Sequence, residues 1–77
     1  MTHAHLQRRD PDRNMARFYE VDVTPTLFGE LSVVRSWGRI GTQGRSRLET
    51  CGSVETAELA AAKAIRAKLK RGYSVVD

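Results

Sequence analysis

The stretch that most constrains the fold is Ser53 to Gly72, "SVETAELAAAKAIRAKLKRG". It has no proline and no internal glycine, and it is built mainly from Ala, Leu, Glu and Lys, which enter a helix at little cost. Ser53 is suited to cap its start, because a hydroxyl there can accept a hydrogen bond from a free N–H of the first turn. Glu55 and Glu58 fall near the positive end of the helix dipole, and Lys68, Lys70 and Arg71 near the negative end. Gly72 is suited to the left-handed residue that ends a helix. One helix over residues 53–71 is therefore predicted. Ala57, Ala61, Ala64, Ile65 and Leu69 share a stripe, which must pack on something, and the alanines allow a close approach.

What it packs on precedes it. In "MARFYEVDV", Tyr19, Val21 and Val23 alternate with Glu20 and Asp22, the period of a half-buried strand. Pro25 and Gly29 break that run. "ELSVVRSW" is the next strand, rich in β-branched residues, and "RSRLETC" the one after it. "HLQRRD" reads as a short edge strand, "PDRN" as a turn, and "YSVV" as a short returning strand. The order is strands followed by a helix. The expected fold class is α+β: a small antiparallel sheet of about four to five strands with one helix across one face. At 77 residues this is one domain with a small core, placed at about 5–73 with residues 1–4 as a flexible lead.

Charge is placed unevenly. The net charge is +4. Four arginines (Arg35, Arg39, Arg45 and Arg47) lie between positions 35 and 47 with no acid among them. Five cations (Lys63, Arg66, Lys68, Lys70 and Arg71) lie between 63 and 71, again with no acid. Two such blocks point to an anionic partner, nucleic acid first. No apolar run reaches the roughly 18 residues a membrane span needs, and "MTHAHLQRRD" lacks the apolar block of a secretory signal. The single cysteine, Cys51, forms no internal disulfide and fits a cytoplasmic setting.

The one Trp stands in "SWGRIGTQG". Gly38, Gly41 and Gly44 allow the chain to turn tightly around Trp37 and Arg39. An indole offers a flat face to a sugar or base, and a guanidinium a fork to phosphate. Alternation along this strand sets Leu31, Val33, Arg35 and Trp37 on one face. An outward Trp37 then calls for a bulge or a strand end.

"RSWGRIGTQGRSRLETCGSVETAELAAAKAIRAKLKRGY" resembles a WGR domain, the module named for its Trp-Gly-Arg motif. The likeness rests on Trp37-Gly38-Arg39, Ile40-Gly41, Gly44, the Gly52-Ser53 step and the helix with Ala57, and "NMARFYEVDV" is similar to the strand preceding the motif in bacterial stand-alone WGR proteins. In DNA-dependent poly(ADP-ribose) polymerases this module contacts the end of a DNA strand at a break and relays the event to neighbouring domains. The resemblance implies that Trp37 stacks on a terminal sugar or base and that Arg39 contacts phosphate or a partner domain. It implies a non-enzymatic module, binding DNA near strand ends. Gly38 of the motif and Arg35, Arg45 and Arg47 of the first basic block are further candidate contacts, while Lys63, Arg66 and Lys70 line one helix face, a phosphate track if that face is shared with Arg39 and a solvated face otherwise. The alternative is a module that docks a protein partner in trans through the same turn. Catalytic, regulatory and zinc-finger segments of the polymerases have no counterpart in these 77 residues.

Other chemistry finds little support in the residues. His3 and His5 form an H-x-H pair in what reads as a solvated tail, short of the four ligands a stable zinc site wants. Cys51 reads as a small packing residue, and Glu20 with Asp22 as a solvated strand face. "GRIGTQG" lacks the Lys-Ser/Thr of a nucleotide-hydrolysing loop. No group pairs a nucleophile with a base. No enzyme, cofactor, metal, membrane or small-molecule substrate is expected.

Overall fold

A computed structural model describes residues 1–76 of the chain. Strand β1 (His3–Asp10) leads through a single 3-10 turn (Pro11–Arg13) into β2 (Met15–Pro25), followed by β3 (Leu31–Arg39) and β4 (Arg45–Cys51). Helix α1 (Val54–Lys70) and a short β5 (Ser74–Val75) complete the fold. The sheet order is β4-β3-β2-β1-β5, and every pair is antiparallel. One helix against a five-stranded antiparallel sheet is the α+β arrangement expected.

α1 packs over β2, β3 and β4. The core between the layers holds Leu6, Tyr19, Val21, Val23, Leu31 and Val33 from the strands with Ala57 and Ala61 from the helix. Both alanines are fully buried, and their lack of bulk allows the helix to lie close on Val21 and Val33. The helix start is capped as expected: Ser53 Oγ accepts from the Thr56 N–H at 3.2 Å. At the other end the Gly72 N–H donates to Leu69 and the Tyr73 N–H to Lys68, a Schellman pair, with Gly72 at φ 92°.

Three readings of the sequence change. "HLQRRD" belongs to no edge strand. β1 lies between β2 and β5, because the chain after α1 returns to pair Leu6 with Val75. His3 and His5 are strand residues, their Nδ1 atoms 3.3 Å from Asp22 and 3.4 Å from Glu20 across the β1–β2 pair. The buried stripe of α1 does not end on Leu69, which is 46% exposed. Leu69 lies 12 residues from the buried Ala57, about 120° round the helix, whereas Lys68 is within about 20° of it. Ile65 and Ala64 flank the core half-buried. The amino end of β1 is also held: Ala4 is part of the core, and Thr2 donates from its backbone N–H and its hydroxyl to the Glu58 carboxylate. Those bonds hold the Glu58 carboxyl below its ordinary pKa.

Candidate nucleic-acid interface

Residues directly opposite in an antiparallel pair point to the same face, so the register defines the helix-side surface row by row. One row runs Arg45–Trp37–Tyr19–Leu6. The row on one side runs Arg47–Arg35–Val21–Ala4, and the row on the other Arg39–Arg17–Arg8. Trp37 is therefore on the core face, in regular pairing with Tyr19 and Arg45, and no bulge turns it outward. It is nevertheless 37% exposed, because it lies at the open rim of that face. A recess of about 270 Å³ at the rim is lined by Tyr19, Arg35, Trp37, Arg47 and Lys68.

The Schellman turn helps to build this recess. By reversing the chain at Gly72 it brings Tyr73 back beside Lys68. The Lys68 ammonium lies 4.8 Å from the Tyr19 ring centre and 5.3 Å from that of Tyr73. Both rings present a negative face to the cation. Partial burial, and the nearby charges of Arg71 and Arg17, hold the Lys68 pKa below its ordinary value. Burial raises that of the Tyr19 hydroxyl, against an opposing pull from Arg35.

Among the described residues, Arg35 makes the one acidic contact of the recess, an ion pair with Glu49 at 3.2 Å. Otherwise the cations face one another. Arg35 is directly opposite Arg47, and Arg17 is directly opposite both Arg39 and Arg8. Like charges at directly opposed positions destabilise a sheet. A second groove, of about 470 Å³, continues from Arg35 between α1 and the strands, lined by Glu49, Thr56, Leu59, Ala60, Lys63 and Ala64.

The glycines of "WGRIGTQG" form the end of the β3–β4 hairpin. Thr42 N–H donates to Arg39 C=O at 3.1 Å, with Gly41 at φ 95° in the turn between. Gly38 and Gly44 approach backbone to backbone: a Cβ on Gly38 would lie 2.7 Å from the Gly44 Cα. Phe18 packs beneath both from the face away from the helix. The glycines thus serve the closure of the hairpin, and the Trp37 ring is left at its edge.

Of the residues singled out in the sequence, Trp37, Arg35, Arg39, Arg45 and Arg47 share the helix-side end of the sheet, and Gly38 joins them in the backbone. Lys63 lines the adjoining groove. Arg66 and Lys70 are exposed, and they stand about 180° and 220° round the helix from Ala57, away from the sheet. The structure adds Lys68, Tyr19, Arg17 and Arg8. Lys68 was legible in the helix phase. Arg8 and Arg17 join the surface only through the strand register.

The fold and this surface define a small binding module: one helix on one sheet, with a cationic, aromatic-bearing rim. The chain belongs to the WGR domain family, whose family model matches residues 2–77. It is similar to the uncharacterized protein y4dW of Sinorhizobium fredii (strain NBRC 101917 / NGR234), with 44% identity over 69 residues. The match covers 90% of this chain and 34% of that protein, so the chain spans about a third of the relative's length. No solved structure matches it significantly. Among the described residues no helix is long and apolar enough to cross a membrane.

Proposed function

We propose that this chain is a non-enzymatic nucleic-acid-binding module that engages DNA near strand ends through the helix-side rim around Trp37. The observation that carries the reading is the directly opposed arginines. Arg35–Arg47 and Arg39–Arg17–Arg8 flank the Trp37 row on either side, and among the described residues the one acid bonded to them is Glu49, on Arg35. An arrangement that costs the folded chain stability is offset when phosphates lie between the guanidiniums. An aromatic at the centre of such a field adds a stacking surface for a base or sugar. Membership of the WGR family is consistent with this reading. A DNA strand entering along the groove between α1 and β4 would meet Lys63 and Arg35 before it reached Trp37.

The experiment is a titration of short duplex DNA at several salt concentrations. Each phosphate contact releases counterions, so binding weakens as salt rises. Arg35→Gln, Arg47→Gln and Lys68→Gln are each expected to weaken binding and to make the log–log salt slope shallower by about one unit. Arg66→Gln and Lys70→Gln, on the outer side of α1, are expected to leave the slope unchanged. Equal effects from both sets would remove the rim as the site. A flat salt response in the unaltered protein would favour the protein-docking alternative. The Lys68 ammonium, with its lowered pKa, loses its proton earlier on the alkaline side than an ordinary lysine, and a bound phosphate raises that pKa again. Affinity is therefore expected to begin falling below the ordinary lysine range as pH rises, and Lys68→Arg to move the onset of that fall to higher pH.

A further inference from the structure

The face of the sheet away from the helix carries a second recess that the rim does not use. It has a volume of about 330 Å³ and is lined by His5 and Gln7 from β1, Phe18 and Glu20 from β2, Ser36 from β3, and Ile40 to Gln43 of the hairpin turn. The Ile40 N–H donates to Ala16 C=O at 3.0 Å, which holds the turn over the strands and makes its far wall. Its size is at the lower end of the roughly 300–1,000 Å³ of small-ligand sites.

The chemistry of the lining is the reverse of the rim's. None of its residues is Lys or Arg, and its one acid is Glu20. Phe18 and His5 lie nearly parallel, with ring centres 6.1 Å apart and planes 26° apart, and Ile40 supplies an apolar wall. His5 Nδ1 reaches Glu20 Oε2 at 3.4 Å, which leaves Oε1 and further lone pairs of the carboxylate free. Gln7 and Gln43 each add an amide able to donate and accept. A phosphate is not suited to this recess. A flat ring with adjacent N–H donors is: its face can lie on Phe18, and its donors can meet the carboxylate.

We propose that this recess takes an unpaired guanine base. Guanine carries two N–H donors side by side, N1–H and the 2-amino group, which match the two oxygens of one carboxylate. Its O6 and N7 acceptors can receive the glutamine amides. Adenine and cytosine offer the carboxylate a single amino group, and thymine a single ring N–H. The recess adjoins the same hairpin that carries Trp37, with Phe18 packed under Gly38 and Gly44, so an overhanging base at a strand end could reach it round the turn. The proposal extends the nucleic-acid reading, but the base is recognised on a different face and can be tested alone.

The test uses the free deoxynucleosides, which carry no phosphate. Each is titrated into the protein while the ring protons of Phe18 and His5 and the side-chain amides of Gln7 and Gln43 are followed by NMR. Deoxyguanosine is expected to shift these signals at millimolar concentration or below, and deoxyinosine, lacking the 2-amino group, to bind at least about threefold more weakly. Glu20→Gln, at a partly exposed position, is expected to weaken deoxyguanosine at least tenfold while its spectrum remains that of the folded domain. Phe18→Leu provides a second variant with the same expectation for affinity. No shift with deoxyguanosine, equal shifts with all four nucleosides, or an unchanged affinity in Glu20→Gln would each overturn the proposal. Duplex binding at the rim, measured in parallel, separates the two readings: its loss with deoxyguanosine shifts retained removes the rim and leaves the recess.

Discussion

Gly44→Ala is expected to destabilise the domain by about 2–5 kcal/mol. Gly44 has φ 68°, where a residue with a β-carbon pays about 1–2 kcal/mol. That β-carbon would also overlap the Trp37 carbonyl and lie 2.9 Å from Phe18 Cζ. Overpacking of this kind costs roughly a further 1–3 kcal/mol. A domain of 77 residues has on the order of 4–12 kcal/mol in all. Thermal unfolding should therefore move down by at least about 10 °C. Gly29→Ala is the matched control. Gly29 has φ 83° but nothing within 4 Å of a β-carbon, so it pays the conformational cost alone. The gain from a stiffer unfolded chain is common to both substitutions and cancels in the comparison. If Gly44→Ala melts no lower than Gly29→Ala, the close packing of the hairpin on Phe18 is not what the glycine serves.

Trp37→Ala is the second large effect, and it falls on binding. Stacking a base on an aromatic is worth about 1–3 kcal/mol, or roughly 5- to 150-fold in affinity. The loss should appear with blunt-ended and nicked DNA. Closed-circular DNA, held by the arginine rows, should lose little. The fold should survive, since the indole is 37% exposed and the fully buried large side chains are Leu6, Val21 and Val33. Fluorescence anisotropy with labelled blunt-ended DNA, in competition with closed-circular DNA, checks both expectations. An equal loss on both forms would make Trp37 a general contact with no preference for ends.

The helix and its caps were legible because their signals are local. Ser53, Gly72 and the unbroken run between them act within a few residues of one another. Strand β2 was legible from its alternation, β3 from its β-branched residues, and β4 as the run between the glycine turn and Gly52. The position of β1 was not, since whether a strand lies at an edge depends on what pairs beyond it, and β5 supplies only two residues for that role. The end of the helix stripe differs from the sequence pattern for another reason. Hydrophobicity favoured Leu69, whereas the geometry places Lys68 inward, its ammonium over two tyrosine rings at the rim.

The candidate site was legible as a motif and only half legible as a surface. Trp37, Arg35 and Arg39 stood out because they are close in sequence. Arg8 and Arg17 lie 22 or more residues from Arg39, and only the register of two strand pairs sets them in one row. The apparent conflict between an inward strand face and an accessible indole is resolved by position along the strand. The same face is closed over by Ala57 and Ala61 at Val33 and open at Trp37.

That rim position of Trp37 is the centre of the account, and its own fluorescence tests it most directly, because it is the only indole in the chain. In the free protein an aqueous quencher such as acrylamide should reach it readily. Saturating blunt-ended DNA should protect it, and closed-circular DNA at the same phosphate concentration should protect it much less. An indole already shielded in the free protein, or one quenched equally before and after the DNA end is bound, would contradict the account.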